Sequence, residues 1–295
     1  MQKIPTVCVV GSLNMDLTIT TKKIPKQGET VIGEVFETYP GGKGANQAVA
    51  AARLGANVTM IGAVGADTFG DSLLENLSRE GINVEGISKI SDVATGVASI
   101  IMSDHDNRII VASGANAYVT LELVDQYQEQ IRHSDIVLVQ LETPIESIVR
   151  TIEIANEYDV PVIVNPAPYQ VLPDKILSGC TFLTPNEIEL EAMEQESLSD
   201  SIREKIILTK GAEGVQFFEN GKSKVVKSHN VKVADTTGAG DTFNGALAAR
   251  LGGGASLADA VYYANAAAAL SVTKLGAQSG MPTDEEVKRF IENNE

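Results

Sequence analysis

Positive charge is scarce in this chain. Its 23 lysines and arginines face 39 aspartates and glutamates, a formal charge of -16 over 295 residues. That balance argues against a nucleic-acid partner and against docking on an anionic membrane, so a phosphorylated ligand must find locally concentrated donors. Long hydrophobic runs are also missing. Nothing approaches the roughly 18 unbroken apolar residues of a membrane helix, and the run VCVVG is cut short by Asn14 and Asp16 too early for a signal sequence. A soluble, cytoplasmic chain is expected. The only cysteines, Cys8 and Cys180, lie in apolar strand-like stretches and read as buried free thiols, not as a disulfide or metal ligands.

Familiar cofactor and metal fingerprints are lacking as well. GGKG at 41–44 is no phosphate-binding P-loop, because Glu37 stands where the first glycine belongs and Gly44 where serine or threonine would follow the lysine. The first strand is followed by GSLNMD instead of GxGxxG, which argues against a dinucleotide site. Neither HExxH nor paired CxxC occurs; the three histidines are scattered, and DHD at 104–106 reads as a hairpin turn.

What is present is alternation. Apolar, β-branched runs (TVCVVG, ANVTMIGAVG, DIVLVQL, VPVIVNP, CTFLTP, KIILTKG) are separated by helical patterns. Thr143, Thr184 and Thr283 are the expected helix N-caps, with Glu146, Glu187 and Glu286 three residues on and Pro144 and Pro185 at the first helical position of two. Such alternation predicts a parallel sheet covered by helices on both faces. Segments 17–39 and 95–112 have period-two patterning instead and predict a small accessory antiparallel sheet near the ligand-binding ends of the strands.

Four polar clusters fall at predicted strand-to-helix junctions. Asn14 and Asp16, two apart on an extended segment, face one side and offer donors and acceptors suited to a polyhydroxylated ligand. GGKGANQAVAAARLG, residues 41–55, combines close backbone approach at its glycines with Lys43 and, in the first helical turn, Asn46. In TPNEIE, Asn186 and Glu189 share a helix face and could hold the water shell of Mg²⁺; TKGAEG, from Thr209 through Gly211 to Gly214, could contact nucleotide phosphates. In DTTGAGDTFNG, residues 235–245, Gly238, Ala239 and Gly240 form an anion cradle opening a helix through Phe243, Leu247 and Leu251. Asp241 beside them is placed for general-base work on a hydroxyl while the amides neutralise a transferred phosphoryl group.

GGKGANQAVAAARLGA and DTTGAGDTFNGAL, in this order and about two hundred residues apart, closely resemble the two signatures of the ribokinase-like (PfkB) carbohydrate kinases, and Asn186 to Glu189 is similar to the family's NxxE. The resemblance covers essentially the whole chain. Lys43 in GGKGANQ, with Asn14 and Asp16, matches the ribose-phosphorylating branch more closely than the fructokinase or adenosine kinase branches.

The family resemblance implies a doubly wound α/β fold with a mostly parallel sheet of about nine strands. A core of residues 1–16, 40–94 and 113–295 would carry a β-sheet lid of 17–39 and 95–112, with homodimers made by clasped lids. It implies transfer of the γ-phosphate of ATP to the O5 hydroxyl of D-ribose. Ribose would lie between Asn14, Asp16, Gly42, Lys43, Asn46 and Glu142, with Asp241 as base and Gly238, Ala239 and Gly240 as anion hole. ATP would contact Asn186, Thr209, Gly211, Gly214, Gly240 and Asn265, with Mg²⁺ organised through water by Asn186 and Glu189. An activating K⁺ would be held, mainly by backbone carbonyls, at Asp235, Thr237, Ser271, Lys274, Gly276 and Gly280. Two positions depart from the family pattern: Asn265, where a histidine is common, and Gly280, where a serine is frequent. Kinases of the same fold acting on deoxyribose, fructose or a nucleoside compete with this reading, as does a silent sugar sensor, which would need no base.

Overall fold

A computed structural model describes residues 3–103, 106–195 and 198–294. The DHD turn expected at 104–106 falls largely outside them. Six parallel strands form the central sheet in the order β10 (Phe182–Leu183), β9 (Val162–Asn165), β8 (Ile136–Gln140), β1 (Thr6–Val10), β4 (Asn57–Gly65) and β5 (Asn83–Ile90). The alternation within β1 sorts the core into two layers. Val7 and Val9 join Val49, Phe243, Leu247 and Ala264 of the helices Lys43–Arg53, Ala239–Gly252 and Leu257–Ser271; Cys8 and Val10 face Val124, Ile148 and Ile152 on the other side. Both cysteines are buried free thiols, and burial pushes Cys8 up to about 12 and Cys180 to about 11.

The parallel sheet has six strands, not about nine. KIILTKG falls in a separate sheet: β11 (Ile207–Thr209) pairs antiparallel with β12 (Val215–Glu219), which pairs with β13 (Lys222–Val226), and this three-stranded sheet adjoins the β10 segment through two parallel bridges, Leu183 with Ile206 and Asn186 with Thr209. The small accessory sheet is present, in the order β3 (Val35–Gly41), β2 (Asn14–Thr20), β6 (Gly96–Ser103), β7 (Asp106–Ala112). Its central pair, β2 with β6, is parallel, as two strands so far apart in sequence can be; the other pairs are antiparallel.

Two expected helix starts shift. The helix Ile145–Glu157 begins after Pro144 with no side-chain cap, and the Thr143 hydroxyl is buried without a partner among the described residues. The helix Glu187–Glu194 is capped by Asn186, because Thr184 points its hydroxyl at Asn244 (2.6 Å) instead. At Thr283 the capping box with Glu286 forms as expected. Among the described residues no helix is long and apolar enough to cross a membrane.

Candidate active site

The chain winds outward from β1 in both directions, to β4 and β5 on one side and β8 to β10 on the other. The crevice beyond the carboxyl ends of β1 and β8 is therefore the topological switch point, where open α/β sheets bind ligands. There Ser12, just past β1, donates from its hydroxyl to Glu142, just past β8; the same Glu142 oxygen accepts the Lys43 amide at 3.2 Å. Pairing within the accessory sheet sets Asn14 opposite both Gly41 and Gly96. Asn116 donates to Asn14 Oδ1 at 2.8 Å, which leaves the Asn14 amide N–H groups for a ligand.

Gly42 sits at φ 90° and ψ 131°, and a Cβ there would lie 2.7 Å from the Asn14 backbone nitrogen. Only glycine lets the loop approach β2 so closely in that conformation. Gly42→Ala is expected to lower the melting temperature by several degrees; an unchanged thermal melt would contradict this account.

The helix Lys43–Arg53 meets the first turn of Ala239–Gly252, and the contact is built from side-chain amides. Asp241, only 8% exposed, accepts from Asn46 Nδ2 on Oδ2 and from Gln47 Nε2 on Oδ1, both at 3.0 Å. Gln47 also donates to Asn165 Oδ1 at 3.1 Å and accepts from Gln140 at 2.7 Å. Sequence reasoning missed Gln47, Gln140 and Asn165. The signal was a polar residue closing each of two otherwise apolar strands, IVLVQ and VIVN.

Charge in this crevice is lopsided. Burial, then the proximity of Glu142 and Asp241, pushes Asp16 up to about 7. Lys43 is the only cation among these groups. Burial works against its charge, but Asp241, Glu142 and Glu189 outweigh it and hold its pKa above the ordinary value. Glu189 is raised as well, chiefly by burial, against the pull of the Asn186 amide and Lys43. Those mutual influences set the third expected motif beside the second and fourth.

At the fourth motif Gly238 adopts the left-handed conformation, φ 77°, and caps Ala239–Gly252; a Cβ there would lie 2.9 Å from the Ala277 Cα. The Ala239 amide donates to the Thr236 carbonyl at 3.2 Å, whereas the Gly238, Gly240 and Asp241 amides have no partner among the described residues. Asp235 ties two loops together: Oδ1 accepts from the Thr237 amide (2.9 Å) and hydroxyl (2.7 Å), Oδ2 from the Gly276 amide (2.8 Å). Burial opposes its charge, but these bonds outweigh it and hold its pKa below the usual carboxylate value. A Cβ on Gly280 would lie 2.6 Å from the Ser271 carbonyl, so this chain needs glycine there. Asp235, Thr237, Ser271, Gly276 and Gly280 therefore adjoin, and so does the Lys274 carbonyl, 3.6 Å from that Cβ, while the Lys274 ammonium turns to Glu286.

Asn186 and Glu189 form a reciprocal capping box, each accepting the other's amide at 2.8 Å. Helix capping thus accounts for the pair by itself. Their remaining lone pairs fit a metal held through water, and among the described residues no cluster of three or more acidic, histidine or cysteine side chains offers a closed metal cage. A bridge between Asn186 and Thr209 brings TKGAEG alongside, with Gly211 and Gly214 in the turn that follows. Asn265 is buried and donates one N–H to the Lys227 carbonyl at 2.8 Å, which leaves its oxygen and its second N–H for a nucleobase contact.

The sequence model described as pfkB family carbohydrate kinase matches residues 5–284. A ribokinase from Bacillus subtilis (strain 168) is 43% identical over 289 residues, covering 97% of this chain and 99% of the relative. The crystal structure of a ribokinase from Thermotoga maritima is 38% identical and superposes with a TM-score of 0.90, covering 98% of this chain and all of that one. The structure of Arabidopsis thaliana ribokinase complexed with ribose and ATP superposes with a TM-score of 0.91 at 29% identity, covering 98% and 99% of the two chains. With the motifs in order and the fold shared from end to end, this chain belongs to the pfkB family of carbohydrate kinases.

Proposed function

We propose that the chain transfers the γ-phosphoryl group of ATP to the O5 hydroxyl of D-ribose, giving D-ribose 5-phosphate and ADP. The observation that carries this reading is a buried carboxylate, Asp241, oriented by two amide donors in the same helical turn as unpaired backbone amides. Asp241 takes the O5 proton as that oxygen attacks the γ-phosphorus in line; the bond to the β–γ bridging oxygen breaks and ADP leaves. The first-turn amides and Lys43 receive the charge on the transferred group.

Asn14, Asp16, Gly42, Lys43, Asn46 and Glu142 hold the sugar. Thr209, Gly211, Gly214 and Asn265 line the nucleotide's path. Mg²⁺, which ATP carries, would be held through water by Asn186 and Glu189 and would supply the positive charge that a crevice with several carboxylates and one lysine needs to accept a triphosphate. K⁺ would be held between the 235–237 and 271–280 loops, chiefly by carbonyls beside Asp235. Residues 17–39 and 95–112 act as a lid over the remaining core, excluding water and pairing two copies; the exposed apolar Phe36, Ile109 and Ile110 on its strands support the pairing. The enzyme is cytoplasmic.

A coupled ADP-release assay over ribose, deoxyribose, fructose and nucleosides tests the reading. Ribose is expected to give the highest kcat/KM, and K⁺ to raise the rate above Na⁺ at fixed ionic strength. A higher value for another sugar would reassign the substrate, and an indifferent rate would sink the cation site.

A further inference from the structure

A string of side-chain amides runs from an outer helix to the base with every donor aimed the same way. Asn76 Nδ2, on the helix Thr68–Arg79, donates to Gln278 Oε1 at 2.8 Å. Gln278 Nε2 donates to Asn46 Oδ1 at 2.9 Å, and Asn46 Nδ2 to Asp241 Oδ2 at 3.0 Å. A primary amide has one accepting end and one donating end, so each bond dictates the orientation of the next. With its oxygen taken by Asn76, Gln278 can only offer N–H to Asn46; Asn46 must then turn its own NH₂ toward the carboxylate. A flipped Asn46 would set oxygen against oxygen at Asp241 and NH₂ against NH₂ at Gln278.

Gln278 does not reach the crevice's ligand-facing groups except through Asn46. It lies between Gly276 and Gly280, and its stretch is clamped from behind. Arg53 Nη1 donates to the carbonyls of Gln278 (2.5 Å) and Met281 (3.0 Å), while the Arg53 guanidinium is itself held by both Glu80 oxygens at 2.6 and 2.8 Å. The Gly276 amide is bound to Asp235. One buried side chain, 8% exposed, therefore joins the loop behind the anion-binding turn to the amide in front of the base.

We infer that Gln278 is a positioning residue: held by Asn76, it fixes the Asn46 amide so that one N–H steadies Asp241 and the other faces the sugar. This rests on the reading of the crevice as a ribose site. The relay itself has a readout that needs no ligand.

Three variants of the full chain test it: Gln278→Met, Asn76→Leu and the double variant. In ligand-free protein, NMR of the Asn46 side-chain amide is expected to shift in both single variants, although Asn76 is two hydrogen bonds away. By calorimetry, ribose binding should weaken about tenfold in Gln278→Met and about threefold in Asn76→Leu, with ATP binding unchanged. The double variant should bind like Gln278→Met alone, because the two residues act in series. Additive losses, equal weakening of ribose and ATP, or an unmoved Asn46 signal would overturn the relay. If the unmodified chain binds no ribose while Asn76→Leu still shifts the Asn46 signal, the sugar reading fails and the relay stands.

Discussion

Asp241→Asn is expected to lower kcat by about 10³-fold, the scale on which loss of a positioned general base is felt. The ribose KM should change less than about tenfold. The structure makes this substitution less innocent than its shape suggests. Both carboxylate oxygens accept N–H donors, so an asparagine must set its own NH₂ against either Asn46 or Gln47. Gln47 is pinned by Gln140 and Asn165, and Asn46 by Gln278, so neither amide turns and one N–H donor is left facing an NH₂. Leaving such a donor unsatisfied costs about 1–3 kcal/mol, which accounts for the modest rise in KM and predicts a slightly lower melting temperature. Single-turnover phosphoryl transfer with saturating ATP and ribose separates the two effects. A rate within tenfold of the unmodified enzyme would remove Asp241 from the base role.

Asp16 carries the second large effect. Asp16→Ala is expected to raise the ribose KM by about 10²-fold, since hydrogen bonds from hydroxyls to a half-buried carboxylate are charge-assisted. A pH dependence follows with a definite sign. Burial, with Glu142 and Asp241 nearby, raises Asp16 to about 7, whereas the unfolded chain would lose this proton near 4. Between those values the native ligand-free protein holds the proton that the unfolded chain has released. Its stability from this group is therefore greatest at low pH and declines as pH rises through that window.

Ribose binding runs the other way. Sugar hydroxyls need the ionised acceptor, so affinity should fall about tenfold from pH 8 to pH 6, and binding near neutrality should release protons. Calorimetry in buffers of different ionisation enthalpy measures both. A flat Kd from pH 6 to 8 in the unmodified enzyme, or one that still varies in Asp16→Ala, would show that Asp16 is not the titrating anchor.

Much of this was legible in one dimension. Apolar alternation in TVCVVG and its successors marked the parallel strands, because each buries both faces. The glycines of GGKGA and TTGAG marked backbone that must approach other backbone, as at Gly42 and Gly238. What misled was local chemistry that competes with itself. Thr143 and Thr184 both look like helix caps, yet Pro144 and Asn186 hold those places once packing claims Thr184 for Asn244. The strand NVEGISKI went unread because its glycine and charged residues break any clear period; it forms at the sheet edge, against β4.

The sequence by itself determined the layered α/β plan, the family, and the residue types at the sugar, base and anion-binding positions, since these depend on periodicity and on contiguous motifs. Only the tertiary structure decided which groups orient Asp241 and which way each amide points. Gln47, Gln140, Asn165, Asn76 and Gln278 come from three helices and two strand ends, and no sequence spacing relates them. An amide's orientation is set by the donor or acceptor it meets in space, and that partner exists only after the chain has folded.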